Sequence, residues 1–293
     1  MKPRYRNEHG LRMPMGFPPD GLKSGMAYEP SATDIFVASY PKSGTTWLQY
    51  ILHLLVKRRP LGPDERLADH FPHLEEVGAA AVGALPRPRL IKTHLRRDMV
   101  PFASSVPYLM ICRNPFDCAV SFFHHTRGFP RHYDFSDGSF ADFFDCFIAG
   151  ETDFGDYFEH LISWYAESGH ENMFFMTYED LKRDTKLMVQ RMAVFLRERV
   201  SASIAADEAI DGICEQTSLV SMRRDQQRWS SARPISAPAF VRKGKIGDWR
   251  SLFSPGQARA LLAKFDRQLT DAAIENPWPG EIAAARAFAV SDE

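Results

Sequence analysis

The chain has 293 residues, with 36 Lys plus Arg against 37 Asp plus Glu and a formal net charge of −1. A general positive field is therefore excluded, and any anionic partner must be met by a local cluster; a nucleic-acid binder is not expected. With 44 % apolar and 25 % charged residues the chain can fill a full-sized core, and its length suits one large α/β domain or two small ones.

Residues 1–33 are rich in Pro, Gly and Met and carry no period, which reads as an irregular arm lying over the surface. The arm has basic residues but no apolar run, so it is not read as a signal peptide. IFVAS, 35–39, is a short apolar strand, and 45–58 reads as a helix with Trp47, Ile51, Leu54 and Leu55 on one face. Residues 59–88 hold several prolines and glycines and read mostly as loop. RLIKTH, 89–94, and PYLMICR, 107–113, are further strands. Pro115 then opens a helix over 115–125, with Asn114 as its N-cap. Helical patterns follow over 139–149 and 156–168, a strand over 172–178, helical segments over 179–196, a long Ser/Pro/Arg/Gly loop over 227–247 and a last helix over about 255–275. Short apolar strands alternating with helices predict an α/β fold: a central parallel sheet flanked by helices on both faces. There is no internal repeat and no linker, so residues 34–293 read as a single domain. Cys112, Cys118, Cys146 and Cys214 show no CxxC spacing, which points to neither zinc nor a redox dithiol. No stretch approaches the roughly 18 apolar residues of a membrane span. A soluble, cytoplasmic protein is expected.

Chemistry first shows at FVASYPKSGTTW, 36–47. A strand ending in a small-residue loop that opens a helix points several backbone N–H groups at one spot, and the helix dipole favours negative charge there. Gly44 allows close backbone approach, Thr45 and Thr46 add hydroxyls, and Lys42 adds a cation. The loop resembles a P-loop in kind, but the Walker pattern GxxxxGK[ST] is absent, because the lysine precedes the glycine. A second cation, Arg113, also stands between a strand and a helix, with Ser121 about two turns on. A third cluster, VRKGKIGDWR at 241–250, offers Arg242 and Lys243 beside Gly244. Three cationic loops imply two anion positions, as a nucleotide with phosphates at both ends would need.

YPKSGTTW at 40–47, RNPFDCAVS at 113–121 and RKGKIGDW at 242–249, with PRLIKTHL at 88–95 and FMTYEDLK at 175–182 between them, resemble the cytosolic sulfotransferase family in kind and order. The resemblance runs from about residue 34 to residue 253. It implies binding of 3′-phosphoadenosine-5′-phosphosulfate (PAPS), leaving the bisphosphate PAP, with no metal. It also implies transfer of the sulfuryl group to a hydroxyl or amine. Carried over, Lys42, Ser43, Gly44, Thr45 and Thr46 hold the 5′-phosphosulfate, and Trp47 stacks on adenine. Arg113, Ser121, Arg242, Lys243 and Gly244 hold the 3′-phosphate, and Tyr178 and Thr217 touch adenine. Leu219 stands where the family has an aromatic that sandwiches the base. RSLFSPGQAR, 250–259, departs from the family's short C-terminal dimer motif, so a monomer or a dimer of another kind is expected.

The chemistry implied is an in-line displacement at sulfur. His94 is the general base, Lys42 neutralises the departing 5′-phosphate, and Lys92 adds a cation at the transferring group. The acceptor pocket is expected to be apolar and lined by Phe17, Phe71, Phe122, His125, Phe129, His132, Phe240 and Val241. That lining suits a phenol, a steroid-like alcohol or another flat acceptor. Glu76, in HLEEV, places a carboxylate where an apolar residue is usual, which points to a phenolic amine. His124, His125 and His132 fit no zinc spacing. Two other readings of the same loop are a kinase with an atypical phosphate site and a nucleotide binder without chemistry. The kinase predicts a Walker-B-like carboxylate, which the sequence does not offer. The binder predicts loss of Lys42, Lys92 or His94, all of which are present.

Overall fold

A computed structural model describes residues 1–201, 204–205, 207–230 and 239–291. In chain order its elements begin with β1 (Tyr5–Glu8), β2 (Leu11–Pro14), α1 (Gly21–Met26), β3 (Asp34–Ala38) and α2 (Thr45–Lys57). Next come α3 (Leu67–His70), α4 (Leu74–Gly83), β4 (Arg89–Thr93), β5 (Tyr108–Cys112), α5 (Pro115–Gly128) and α6 (Pro130–Tyr133). They are followed by α7 (Phe140–Ile148), α8 (Tyr157–Tyr165), β6 (Met173–Thr177), α9 (Tyr178–Arg183) and α10 (Thr185–Arg199). The chain closes with α11 (Ile210–Gln216), α12 (Leu219–Arg223), α13 (Pro255–Asp271) and α14 (Pro279–Ala289).

Four strands form a parallel sheet in the order β4-β3-β5-β6. Alternate side chains of a strand point to opposite faces, and both faces are covered here. Phe36, Ala38, Ile91, Tyr108 and Met110 join one hydrophobic core. Ile35, Val37, Leu90, Leu109 and Ile111 join the other. β5 is apolar throughout, and β3 and β6 nearly so, because neither face meets water, whereas β4 carries Arg89, Lys92 and Thr93. The order reverses direction between β3 and β5, and the loops that leave β3, β4 and β5 at their C-terminal ends gather there. Such a crevice is where open α/β sheets bind ligands.

Several local expectations are corrected. Residues 1–33 are not an irregular arm: β1 and β2 pair antiparallel, and Leu11, Met13, Leu22 and Tyr28 are buried in the first core. The apolar side chains alternate along Leu11–Arg12–Met13, but the strands are too short to show a period in sequence. The 59–88 stretch holds α3 and α4; α4 contains a non-helical break at Gly78 (φ 77°), where a Cβ would meet Ser24 of α1. The last helix ends at Asp271, and α14, which packs beside it, was not anticipated. Part of the long loop read over 227–247, residues 231–238, lies outside the described residues. Asn114 caps α5 as expected, accepting from the N–H of Asp117 at 2.9 Å.

Candidate active site

The β3–α2 loop is built for close approach. Lys42 (φ 71°) and Gly44 (φ 100°) both adopt left-handed backbone, which turns the chain sharply into α2 and leaves its first N–H groups facing the crevice. A Cβ on Gly44 would stand 2.7 Å from Cδ2 of Tyr178, so only glycine fits the floor of this cradle. Thr45 and Thr46 line the cavity, whereas Ser43 does not: its side chain is fully buried behind the loop. The Ser43 hydroxyl therefore does not face the cavity. The Thr45 hydroxyl lies 2.6 Å from that of Ser39.

His94 follows β4. Its Nδ1 lies 2.6 Å from the carbonyl oxygen of Ser39. A carbonyl can only accept, so Nδ1 carries the proton and Nε2 keeps its lone pair. Burial, and then the Lys92 charge and His73, hold the imidazole well below its usual pKa, so at neutral pH it is an unprotonated base. The turn around it is pinned by Glu75 of α4, whose Oε1 accepts from the N–H groups of His94 (3.0 Å) and Leu95 (3.1 Å) and from the Thr93 hydroxyl. Glu75 was not singled out in the sequence; a buried carboxylate reading three consecutive residues has no local sequence signal. His73 stands beside His94, ring centroids 4.8 Å apart, and was likewise missed.

Lys92 precedes His94 by two; burial lowers its pKa, and the charges of Glu76, Glu75 and Asp153 oppose the fall. Lys42 reaches from the other side of the cavity, with Nζ 3.4 Å from His125 Nδ1 and 4.4 Å above the Phe240 ring.

The second and third motifs meet at one carboxylate. Asp117, 1 % exposed, accepts from the N–H of Gly247 at 2.7 Å through Oδ2 and from that of Trp249 at 3.0 Å through Oδ1. Trp249 itself is buried against Phe116 and Phe253. This clamp brings the 242–247 loop over the N-terminus of α5. Arg113 lies with its guanidinium 4.5 Å from the Tyr178 ring centre and donates to the carbonyl of Lys245. Its Nε has no partner among the described residues. Arg242 and Lys243 each donate to Asp248 at 2.7 Å. Burial works against the Asp248 carboxylate, but these two hydrogen bonds hold its pKa below the usual value.

All three loops open on one cavity of about 450 Å³. Its wall includes Lys42, Gly44, Thr45, Thr46, Trp47, Arg113, Ser121, Tyr178, Thr217, Leu219, Arg242, Lys243 and Gly244, together with Lys92 and His94. Trp47 and Tyr178 meet edge to face at 5.7 Å. The Thr217 hydroxyl donates to the Ile213 carbonyl at 2.8 Å, which leaves its oxygen only as an acceptor. Leu219 packs over Gly244, where a Cβ would come within 3.1 Å of it.

The expected acceptor lining divides. Phe17, Phe71, Glu76, His125, Phe129, His132, Phe240 and Val241 reach the cavity. Phe122 does not. It is wholly buried between Tyr40 and Phe143, behind His125, because α5 turns that face inward. Phe154, also missed, lies 5.2 Å from His94 and 5.7 Å from His73. His73 joins the expected His125 and His132 among the phenylalanines of the wall. Among the described residues no group of three or more His, Cys, Asp and Glu is placed to hold a metal ion. No helix there is long and apolar enough to cross a membrane.

A phosphate cradle, two further cationic loops and a buried neutral histidine in one crevice define a group-transfer site for a phosphorylated donor, and residues 32–273 match the family model described as a sulfotransferase domain. The chain belongs to the sulfotransferase family and is a sulfotransferase enzyme. It is 32 % identical over 258 residues to mouse sulfotransferase 6B1, covering 85 % of this chain and 80 % of that protein. It is 27 % identical to human sulfotransferase 1C2, over 87 % of this chain and 89 % of that one. Its structure resembles that of mouse sulfotransferase SULT7A1 complexed with PAP, with a TM-score of 0.74 and 26 % identity over 98 % of this chain and 100 % of the other.

Proposed function

We propose that the enzyme moves the sulfuryl group of PAPS to a hydroxyl or amine of a small, largely apolar acceptor in the cytoplasm. One observation carries this reading: the Gly44 loop, Arg113 and the 242–244 cluster open on the same cavity as His94 and Lys42. Anion-binding chemistry and a base thus face one space. The residues fit the nucleotide. Gly44 supplies a floor that any side chain would fill, and Arg113 Nε, without a partner among the described residues, is a donor an anion could take up.

When bound, PAPS supplies an activated sulfuryl group on a phosphate leaving group. Nε2 of His94 takes the proton of the acceptor hydroxyl as the oxygen–sulfur bond forms. Ser39 holds the other ring nitrogen, so the base is presented in one tautomer. As the sulfur–phosphate oxygen bond breaks, Lys42 and the α2 N-terminus meet the charge that collects on the 5′-phosphate, an effect commonly worth about 3 kcal/mol per aimed group. Lys92 faces the charge on the transferring group. Arg113, Ser121, Arg242, Lys243 and the Gly244 backbone grip the 3′-phosphate; Trp47, Tyr178, Thr217 and Leu219 enclose the base.

The acceptor lies between the His94 wall and Phe129, His132 and Phe240. Glu76, with its side chain 40 % exposed, favours an acceptor carrying an amine away from the reacting hydroxyl, as on a phenolic amine. Pro255 is the first residue of α13, next to the capping Ser254, and the protein is a monomer, or a dimer formed by another surface. The test is thermal shift plus turnover. PAP raises the melting temperature and ATP does little; native protein sulfates a phenol from PAPS, and His94→Ala loses roughly 10²-fold or more. No stabilisation by PAP, or full activity in His94→Ala, refutes the reading. Equal losses on dopamine and on a neutral phenol in Glu76→Ala remove the amine preference.

A further inference from the structure

The turn between α7 and α8, residues 149–156, carries Phe154 with φ 65° and Gly155 with φ 85°. A phenylalanine in left-handed backbone costs about 1 kcal/mol or more, and such strain concentrates at functional sites. Here it is held by the Phe154 N–H donating to the Arg12 carbonyl at 2.9 Å. The turn sets the Phe154 ring against His94 and places its neighbour Asp153 on the cavity wall, 2 % exposed. Oδ2 of Asp153 accepts from the Tyr133 hydroxyl at 2.8 Å. Oδ1 has no hydrogen-bond partner among the described residues. On that side Tyr133 packs 5.9 Å from His125, which in turn meets Lys42. Asp153 thus adjoins, through Phe154, the ring packed on the base and, through Tyr133 and His125, the leaving-group cation.

A carboxyl serving only the fold is expected to have both oxygens satisfied, since a buried acceptor left empty is costly. Burial pushes this one up to about 7; Tyr133 and the charges of Lys42 and Lys92 pull the other way, and the Tyr5 phenol also faces it. We propose that Asp153 is a specificity-determining residue, its Oδ1 accepting a hydrogen bond from a second donor that the acceptor carries close to the hydroxyl being sulfated. This rests on the sulfuryl-transfer reading above. Its donor is distinct from the amine assigned to Glu76, which stands at the exposed rim. The acceptor class is one with neighbouring O–H or N–H groups, such as a vicinal diol of an aromatic ring.

The test is kcat/KM with PAPS for catechol, guaiacol and phenol, in native protein, Asp153→Ser and Asp153→Asn. The catechol-to-phenol ratio is the readout, because a general loss of activity cancels from it and each acceptor keeps its own acidity in every variant. A hydrogen bond to a buried carboxylate predicts a native ratio of roughly 10 to 100. Guaiacol, whose second oxygen cannot donate, behaves like phenol. The ratio falls to about 2 in Asp153→Ser, the value expected from catechol's two equivalent hydroxyls. In Asp153→Asn, which keeps a carbonyl acceptor, part of it survives. Stabilisation by PAP in a thermal shift shows which variants are folded, and Asp153→Asn alone decides if the serine variant is not. A native ratio near 2, or a ratio that Asp153→Ser and Asp153→Asn leave unchanged, overturns the assignment while leaving sulfuryl transfer standing. No sulfation of any of the three acceptors, with no stabilisation by PAP, overturns both.

Discussion

Replacing Asp117 by alanine removes the clamp between the second and third motifs. The variant strips acceptors from the N–H groups of Gly247 and Trp249, both at or near full hydrogen-bond strength at 2.7 and 3.0 Å. It also deletes an acidic residue in the first turn of α5. Two backbone donors left without acceptors cost about 1 to 3 kcal/mol each if they stay buried, and loss of the helix-dipole contact costs about 0.5 kcal/mol. The expected total is about 2.5 to 6.5 kcal/mol. Asp117→Asn keeps one acceptor and loses about half as much. Part of the cost appears as global destabilisation and part as release of the 242–247 loop, so PAP affinity falls as well. Urea unfolding read by tryptophan fluorescence reports the first, and calorimetric titration with PAP the second. An unfolding midpoint and a PAP affinity both unchanged in Asp117→Ala refute the clamp.

Gly44→Ala forces a side chain into φ 100° and against Tyr178; a loss of about 1 to 3 kcal/mol is expected, read as weaker PAP binding in the same titration. His94 of the nucleotide-free protein stays neutral at pH 6. Its folded-state pKa is depressed, so the proton is taken up only as pH falls below the ordinary value near 6.5. Nitrogen NMR detects a protonated Nδ1 and a bare Nε2, and an imidazole titrating at or above 6.5, or the opposite tautomer, contradicts this. Phe122→Ala leaves a core cavity and costs about 3 to 5 kcal/mol of stability, whereas Phe129→Ala, at the cavity wall, raises the KM for acceptor more than that for PAPS. Steady-state kinetics and urea melts on the pair check the division.

The sheet was legible because β3, β5 and β6 are buried on both faces and so appear as apolar runs; IFVAS and YLMIC need no partner to be recognised. The convergence of the proposed cofactor residues on one cavity was legible for a related reason. A strand, a turn and a helix N-terminus are contiguous in sequence, so PKSGTT carries its own geometry. What escaped depends on distance along the chain. Glu75 acts on His94 from 19 residues away, and Asp117 on Trp249 from 132. Neither spacing leaves a pattern. Phe122 and His125 sit on one helix, and only packing against Tyr40 and Phe143 decides which faces inward. The N-terminal hairpin was missed because strands of four residues are shorter than any periodicity they could display.

If Arg242 and Lys243 grip the 3′-phosphate as proposed, Asp248 gives the nucleotide site a built-in stand-in anion. With Arg242 and Lys243 both engaged by one carboxylate of their own loop, an arriving phosphate trades places with an internal ligand instead of quenching bare charge. A tethered group competes at a high local concentration set by its short connection. The exchange weakens net affinity, yet it also keeps the two cations sheathed whenever the crevice is vacant, so a spent nucleotide departs into a loop already supplied with its replacement.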